Sequence, residues 1–246
     1  MVILAADTST ALCSVAVRNK EGDVVLERSL GNAPHSEILL PMVDKVLSTA
    51  KLTRNEVQTM AMGTGPGTFT GLRVGLATFK GWAAATGLPV VPVNSLDAVA
   101  LPALQKGLRV LVLADARKGE VYGACYAGLD GDGLPKMEGE IALIGHDHVA
   151  DWARGRTGAG FVALGTGVPL LMAKGLGEGL RIHSDFDPFP CASRILTIAE
   201  VHVSLGRVAD LTKLRPVYVR PPDARPQSPG RSILSVPGED HDPQGP

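Results

Sequence analysis

The chain opens with short apolar runs broken by turn residues. Val2–Ala6 and Leu12–Arg18 read as strands on either side of Asp7-Thr8-Ser9-Thr10. Glu21-Gly22-Asp23 turns the chain again, and Val24–Ser29 predicts a third strand, completing an antiparallel meander. The period then changes. Ile38, Met42 and Val46 form one row at helical spacing, and Leu39, Val43 and Leu47 form the row beside it. Together they make one apolar face of a helix capped by Ser36. Pro41 fits that helix near its first turn and costs stability deeper in it. Thr59–Gly63 is a short apolar strand, followed by a glycine-rich loop, a helix over Leu72–Thr86 and a strand over Leu88–Val93. Strand, helix and strand predict a parallel crossover joined to the meander.

The second half repeats the opening move. Val110–Ala114, then Asp115, a turn through Arg117–Gly119, and Val121–Tyr126 mirror Ile3–Ala6, Asp7, the first turn and Leu12–Val17. Two such hairpins among mixed strands and helices predict a duplicated α/β fold. Cys191–Val208 reads as an amphipathic helix and Pro216–Arg220 as a short terminal strand. From Pro221 onward Pro, Gly, Ser, Asp and Gln dominate, and Ile233-Leu234 is the one apolar pair. Such a tail buries too little surface to offset its ordering entropy, so disorder is expected. The expected organisation is an N-terminal lobe over 1–102, a smaller lobe over 103–220 and a tail over 221–246. The helix at 191–208 is able to fold back on the first lobe.

Composition narrows the class. The 246 residues suffice for one large domain or two small ones. Aromatic residues make up only 4%, which puts the core on Val, Leu, Ala and Ile. A formal net charge of −1 argues against a free-standing nucleic-acid binder, though not against a local basic patch. Cys13, Cys125 and Cys191 lie far apart with no C-x-x-C spacing, which suits buried reduced thiols of a cytosolic protein. Met1–Val17 lacks a basic leading segment and is interrupted by Asp7, so it reads as strand and turn, not as a signal peptide. No apolar run approaches the length of a membrane span.

The most distinctive stretch is Gly63-Thr64-Gly65-Pro66-Gly67-Thr68-Phe69-Thr70-Gly71-Leu72-Arg73. Its glycines permit close backbone approach, and the loop leads to a helix N-terminus, where free N–H groups favour anions. It lacks both the Gly-Lys-Ser/Thr ending of a P-loop and the spacing of a dinucleotide fingerprint. A tight turn between buried elements explains it equally well. The helix that follows has few polar members: Arg73, Thr78, Lys80 and Thr86. Ala77, Gly81 and Ala85 form one small-residue row, and Gly71 with Gly75 begins another. A helix apolar on nearly all sides is buried on nearly all sides. One face can cover the sheet, and the flat one invites a second helix, from this chain or another.

Asp7 and Asp115 sit at matching hairpin turns. Singly, each is explained by an aspartate bonding its own backbone. As a pair they resemble the phosphate hairpins of actin-like and sugar-kinase proteins. His146 and His148 would share one face of a strand, but no third metal ligand accompanies them. His35 belongs to the start of the first helix. No Ser/His/Asp or Cys/His arrangement for nucleophilic catalysis is present.

Several segments together resemble the bacterial TsaB (YeaZ) family of tRNA threonylcarbamoyladenosine biosynthesis. They are Leu4-Ala5-Ala6-Asp7-Thr8-Ser9, His35-Ser36-Glu37, Gly65–Arg73, Asp115-Ala116-Arg117 with Gly119-Glu120-Val121-Tyr122, and Pro216-Val217-Tyr218-Val219-Arg220. The resemblance covers roughly residues 1–220. Thr68 stands where Ser is more usual, and Lys118 where Met is frequent.

The resemblance implies an actin-like (ASKHA, ribonuclease-H-like) duplicated fold with a shortened second lobe, similar to that of the catalytic relative TsaD. It places Ser95 and Val99 where the metal-binding histidines of TsaD stand, and neither replaces them as a ligand. It implies vestigial phosphate-loop positions at Asp7, Thr8, Ser9, Gly65, Gly67, Gly71, Asp115 and Arg117.

The function implied is a non-catalytic cytoplasmic scaffold that pairs with TsaD, and with TsaE in the presence of nucleotide. TsaD transfers the threonylcarbamoyl group to adenosine 37 of tRNAs reading ANN codons, so tRNA is met only through the complex. The expected contact surface is Ile38, Leu39, Met42, Val46, Leu72, Val74, Gly75, Ala77, Thr78, Gly81, Trp82 and Ala85, which also serves a homodimer when the chain is alone. No cofactor is required, and nucleotide binding is expected to be weak and mainly within the complex. A self-sufficient actin-like ATPase or small-molecule kinase using Asp7 and Asp115 is the alternative, and a peptidase lacks its residues.

Overall fold

The computed structural model describes residues 1–31, 33–157 and 160–220. The first half supplies β1 (Ile3–Asp7), β2 (Leu12–Arg18), β3 (Val24–Leu30), α1 (His35–Thr49), β4 (Thr59–Gly63), α2 (Phe69–Thr86) and β5 (Val90–Val93). The second supplies α3 (Ser95–Leu104), β6 (Arg109–Asp115), β7 (Glu120–Leu129), β8 (Pro135–Gly145), α4 (Val149–Thr157), β9 (Phe161–Leu164), α5 (Val168–Ala173) and α6 (Ala192–Ser204).

The strands form two sheets, ordered β3-β2-β1-β4-β5 and β8-β7-β6-β9. In each sheet the leading strand pairs antiparallel with its hairpin mate and parallel with the strand that returns on its other side. The second sheet therefore repeats the first without its fifth strand. This is a duplicated, actin-like α/β fold with a shortened second lobe.

β1 and β4 are apolar along their whole length because both faces of the first sheet are covered. On one face the apolar rows of α1, with Leu76, Phe79 and Ala83 of α2, pack on Val15, Met60 and Met62. On the other, Ile195, Ile198 and Ala199 of α6 meet Ile3, Ala5, Ala16 and Val91. α6 comes late in the chain yet lies against β1, β2, β4 and β5. α3 covers one face of the second sheet through Leu96, Val99 and Ala103 on Val110, Val112 and Tyr126. Residues of α4 and α5 cover the other around Leu111 and Leu113.

Several expected boundaries move. α1 starts at His35 behind Pro34, and Ser36 lies inside it without making a capping bond. α2 begins at Phe69, so the end of the glycine loop is already helical. α6 stops at Ser204, two residues before Gly206, which takes φ 70°. Pro216–Arg220 forms no strand. Pro216 has no N–H to give, and Val217 N–H bonds to the Thr64 carbonyl without a ladder following. His146–His148 is a short 3-10 turn, so the two rings do not share a strand face. All three cysteine thiols are buried and free. Among the described residues no helix is long and apolar enough to cross a membrane. The tail at 221–246 lies outside the described residues.

Candidate functional site

Asp7 ends β1 and is fully buried. Its Oδ1 accepts the Ser9 N–H at 2.8 Å and the Ser9 hydroxyl at 2.7 Å. Its Oδ2 accepts the Ser95 hydroxyl at 2.7 Å, while Ser95 Oγ accepts the Gly65 N–H at 3.0 Å. Burial raises the carboxyl to about 6, and the bonds from Ser9 and Ser95 pull against that rise. A cation would have to displace Ser95 and open a closed pocket to reach this group. The Asp7 carboxylate does not fit the task of holding a metal–phosphate.

The glycine loop is packed against the same hairpin. Thr8 donates its hydroxyl to the Gly71 carbonyl at 2.8 Å, and Thr68 N–H donates to the Ser9 carbonyl at 2.7 Å. A Cβ at Gly67 would fall on the Ser9 backbone, and one at Gly71 on the Thr8 carbonyl. These glycines bring the first turn of α2 onto the first hairpin. Two of the loop N–H groups that could have met an anion, those of Gly65 and Thr68, are already bonded within the protein.

The second hairpin reproduces the turn. Asp115 Oδ1 accepts the Arg117 N–H at 2.8 Å, two residues on, as Asp7 does from Ser9. Its surroundings differ, because Asp115 keeps some exposure and the Arg117 guanidinium lies 3.4 Å from its Oδ2. Asp115 N–H donates to the Thr166 hydroxyl at 3.0 Å. Between the hairpins lies a cleft of about 190 Å³ lined by Ser9, Thr10, Thr68, Asp115, Arg117 and Thr166, among others. Asp115 reaches it and Asp7 does not.

Among the described residues no group of three or more His, Cys, Asp or Glu side chains could hold a metal. Val99 is in the core of the second lobe. His35 bonds to the backbone of Thr8 and Ala11, and burial lowers its pKa despite those bonds.

The helical surface divides sharply. Leu39, Met42, Val46, Leu72 and Gly75 are buried in the protein itself and are not available to a partner. The expected contact surface is corrected accordingly: Leu39, Met42 and Val46 pack α1 into the first core, and Leu72 lies against Gly65 of the glycine loop. Gly75 marks a close helix–strand approach, where a Cβ would fall on Met62 Cε and Thr8 Oγ1. Ile38, Val74, Thr78 and Trp82 are half-buried, and Ala77, Gly81 and Ala85 are exposed with Ala84 beside them. The Gly71–Gly75 row therefore faces inward and the Ala77–Gly81–Ala85 row faces outward.

Sequence reasoning assigned no role to Phe69, Arg73 or Tyr218, which meet at the N-terminal end of that outward face. The signal available was the helical spacing of Phe69, Arg73 and Ala77. Nothing local in the sequence brings Tyr218 to them.

Residues 29–137 match the TsaD family profile, described as tRNA N6-adenosine threonylcarbamoyltransferase. The tRNA threonylcarbamoyladenosine biosynthesis protein TsaB of Escherichia coli is 34% identical over 233 residues, covering 94% of this chain and all of that one. The Haemophilus influenzae TsaB is 40% identical over 124 residues, half of this chain and 52% of that one. The structure of YeaZ from Pseudomonas aeruginosa superposes with a TM-score of 0.75 at 31% identity, covering 89% of this chain and 99% of that one.

Proposed function

The chain belongs to the TsaB (YeaZ) family of tRNA threonylcarbamoyladenosine biosynthesis proteins, and from that membership we propose that it is a non-catalytic subunit acting by docking. The observation that carries the reading is the closed bond between Ser95 and Asp7, which occupies the carboxylate a phosphate-transfer site would need. What remains open to solvent is a helix face of small residues, Ala77, Gly81, Ala84 and Ala85, shaped for close approach by another helix.

In this reading the partner is TsaD, which transfers the threonylcarbamoyl group to adenosine 37 of tRNAs reading ANN codons. TsaE joins in the presence of nucleotide, and tRNA is met only through the complex. Residues 1–102 form the docking lobe, 103–220 the smaller lobe, and the protein works in the cytoplasm. The chain alone self-pairs through the same face, so homodimer and heterodimer compete. No cofactor is needed for docking. The cleft between the hairpins, with Arg117 and several hydroxyls, binds nucleotide weakly and mainly when partners are present.

Light scattering of the purified chain mixed with its TsaD tests the proposal. A one-to-one complex is the expected result, and two unchanged separate species would overturn it. A self-sufficient ATPase or kinase would instead show magnesium-dependent turnover that Asp7→Asn abolishes.

A further inference from the structure

Three side chains from distant parts of the sequence meet where the exposed face of α2 begins. Phe69 opens the helix, Arg73 follows one turn later, and Tyr218 arrives from the segment after α6. Arg73 Cζ lies 3.5 Å from the Phe69 ring centroid. The Phe69 and Tyr218 rings are 5.3 Å apart at 35°. Arg73 Nε donates to the Tyr218 hydroxyl at 3.3 Å. Both rings nonetheless stay 40% and 41% exposed.

Tyr218 is held in place from both sides. Leu214 is buried in the first core, and its carbonyl accepts Lys80 Nζ at 3.1 Å. Val217 N–H bonds to Thr64, and the Arg220 guanidinium pairs with Glu120 of β7. The cluster is thus organised before any partner arrives.

We infer that Phe69, Arg73 and Tyr218 are the anchor of the docking face, and that they receive a carboxylate on a helix of a different partner chain. The inference rests on the docking function proposed above. A guanidinium laid on one ring and bonded to another has its direction set, and such Arg and Tyr anchors concentrate binding energy. Among the described residues Arg73 meets the Tyr218 hydroxyl and no carboxylate, so its exposed guanidinium keeps N–H donors for an acceptor on a docked chain. α2 carries no Asp or Glu, so a second copy laid α2 upon α2 brings Arg73 no acidic residue from that helix. A homodimer reaches an acid for Arg73 only through another element, such as Glu37 of α1, and homodimer dissociation in Arg73→Glu reads that outcome. A stacked nucleic-acid base is the poorer occupant, because Arg73 already lies over Phe69 and the formal net charge is −1.

The test titrates TsaD into the full-length chain and into Arg73→Glu, Arg73→Gln and Tyr218→Ala, with homodimer dissociation measured on the same samples. Circular dichroism and Tm establish that each variant is folded; Arg73→Gln keeps the test open if the charge reversal is not. The expected result is a Kd for TsaD raised roughly tenfold or more in Arg73→Glu. Arg73→Gln is expected to show a shallower salt dependence than wild type, and homodimer dissociation to change less than about twofold. An unchanged Kd for TsaD in the folded variants overturns the anchor while leaving docking intact. Equal weakening of homodimer and heterodimer overturns the choice of an acidic, non-identical partner. Loss of tRNA binding by the free chain on Arg73→Glu, with TsaD affinity unchanged, would assign the cluster to nucleic acid instead. Failure of the wild-type chain to bind TsaD defeats the docking function itself.

Discussion

The Ser95 hydroxyl bonds to Asp7 Oδ2 at 2.7 Å, tying the first residue of α3 to the last residue of β1. The two lie far apart in sequence, and the parallel pairing of β4 between β1 and β5 brings them together. Through this bond the carboxylate that ends β1 becomes a buried structural group.

Asp7→Asn gives that statement a pH signature. The folded-state pKa of Asp7 is raised from 3.8 to about 6, so the folded protein binds this proton more tightly than the unfolded chain. Wild-type stability therefore gains as pH falls from about 6 towards 4, and the buried charge costs stability above pH 6. Asparagine keeps an acceptor for Ser9 and has no charge to bury. Urea unfolding should find wild type losing on the order of 2–3 kcal/mol relative to Asp7→Asn between pH 4 and pH 7. A difference independent of pH would mean that Asp7 is not buried as an ionisable group.

The two glycine rows of α2 should respond in opposite ways. Gly75→Ala places a methyl on Met62 and Thr8, and is expected to cost about 1–3 kcal/mol through overpacking. Gly81→Ala meets nothing within 4 Å and should stabilise the monomer by about 0.5–1 kcal/mol. The same methyl stands on the proposed docking face, so Gly81→Ala should weaken pairing while raising Tm. Thermal unfolding at low concentration and sedimentation at high concentration separate the effects. A destabilised Gly81→Ala monomer would contradict the assignment of faces.

Tyr126 and Asp97 form a second, partly buried pair, joining β7 to α3. The Tyr126 hydroxyl donates to Asp97 Oδ1 at 2.7 Å, and burial raises Asp97 to about 6 against the pull of that bond. Tyr126→Phe leaves the carboxylate without this donor and should cost about 1–3 kcal/mol at pH 7. The difference from wild type should narrow as pH falls through 6 and Asp97 becomes neutral. Denaturant titrations at pH 5 and pH 7 check this, and a loss equal at both would rule out the charged form as its cause.

The first lobe was legible because its strands and α1 carry clean periods: the rows through Met42 and Leu39 are buried as a helix face should be. The matching turns at Asp7 and Asp115 announced the duplication. Other elements left weaker traces. β8 over Pro135–Gly145 has its alternation broken at Gly139 and its pairing with β7 shifted in register, and α3 is so uniformly apolar that no period stands out. At the candidate site, the outward row of Ala77, Gly81 and Ala85 could be read from spacing. The inward role of Gly75 could not, because it depends on Thr8 of the first hairpin turn and Met62 of β4. Tyr218 beside Arg73, and Ser95 beside Asp7, likewise depend on how distant segments return to one place.

The rate of threonylcarbamoylation in a reconstituted system with TsaD, TsaE and tRNA tests the central claim most directly, with Asp7→Asn and Ala77→Glu compared against wild type. Asp7→Asn should retain the rate, because its carboxylate takes no part in chemistry. Ala77→Glu, folded but carrying a charge on the exposed face of α2, should reduce the rate by at least about tenfold, restored in part by excess protein. Loss of activity in Asp7→Asn together with full activity in Ala77→Glu would contradict the account.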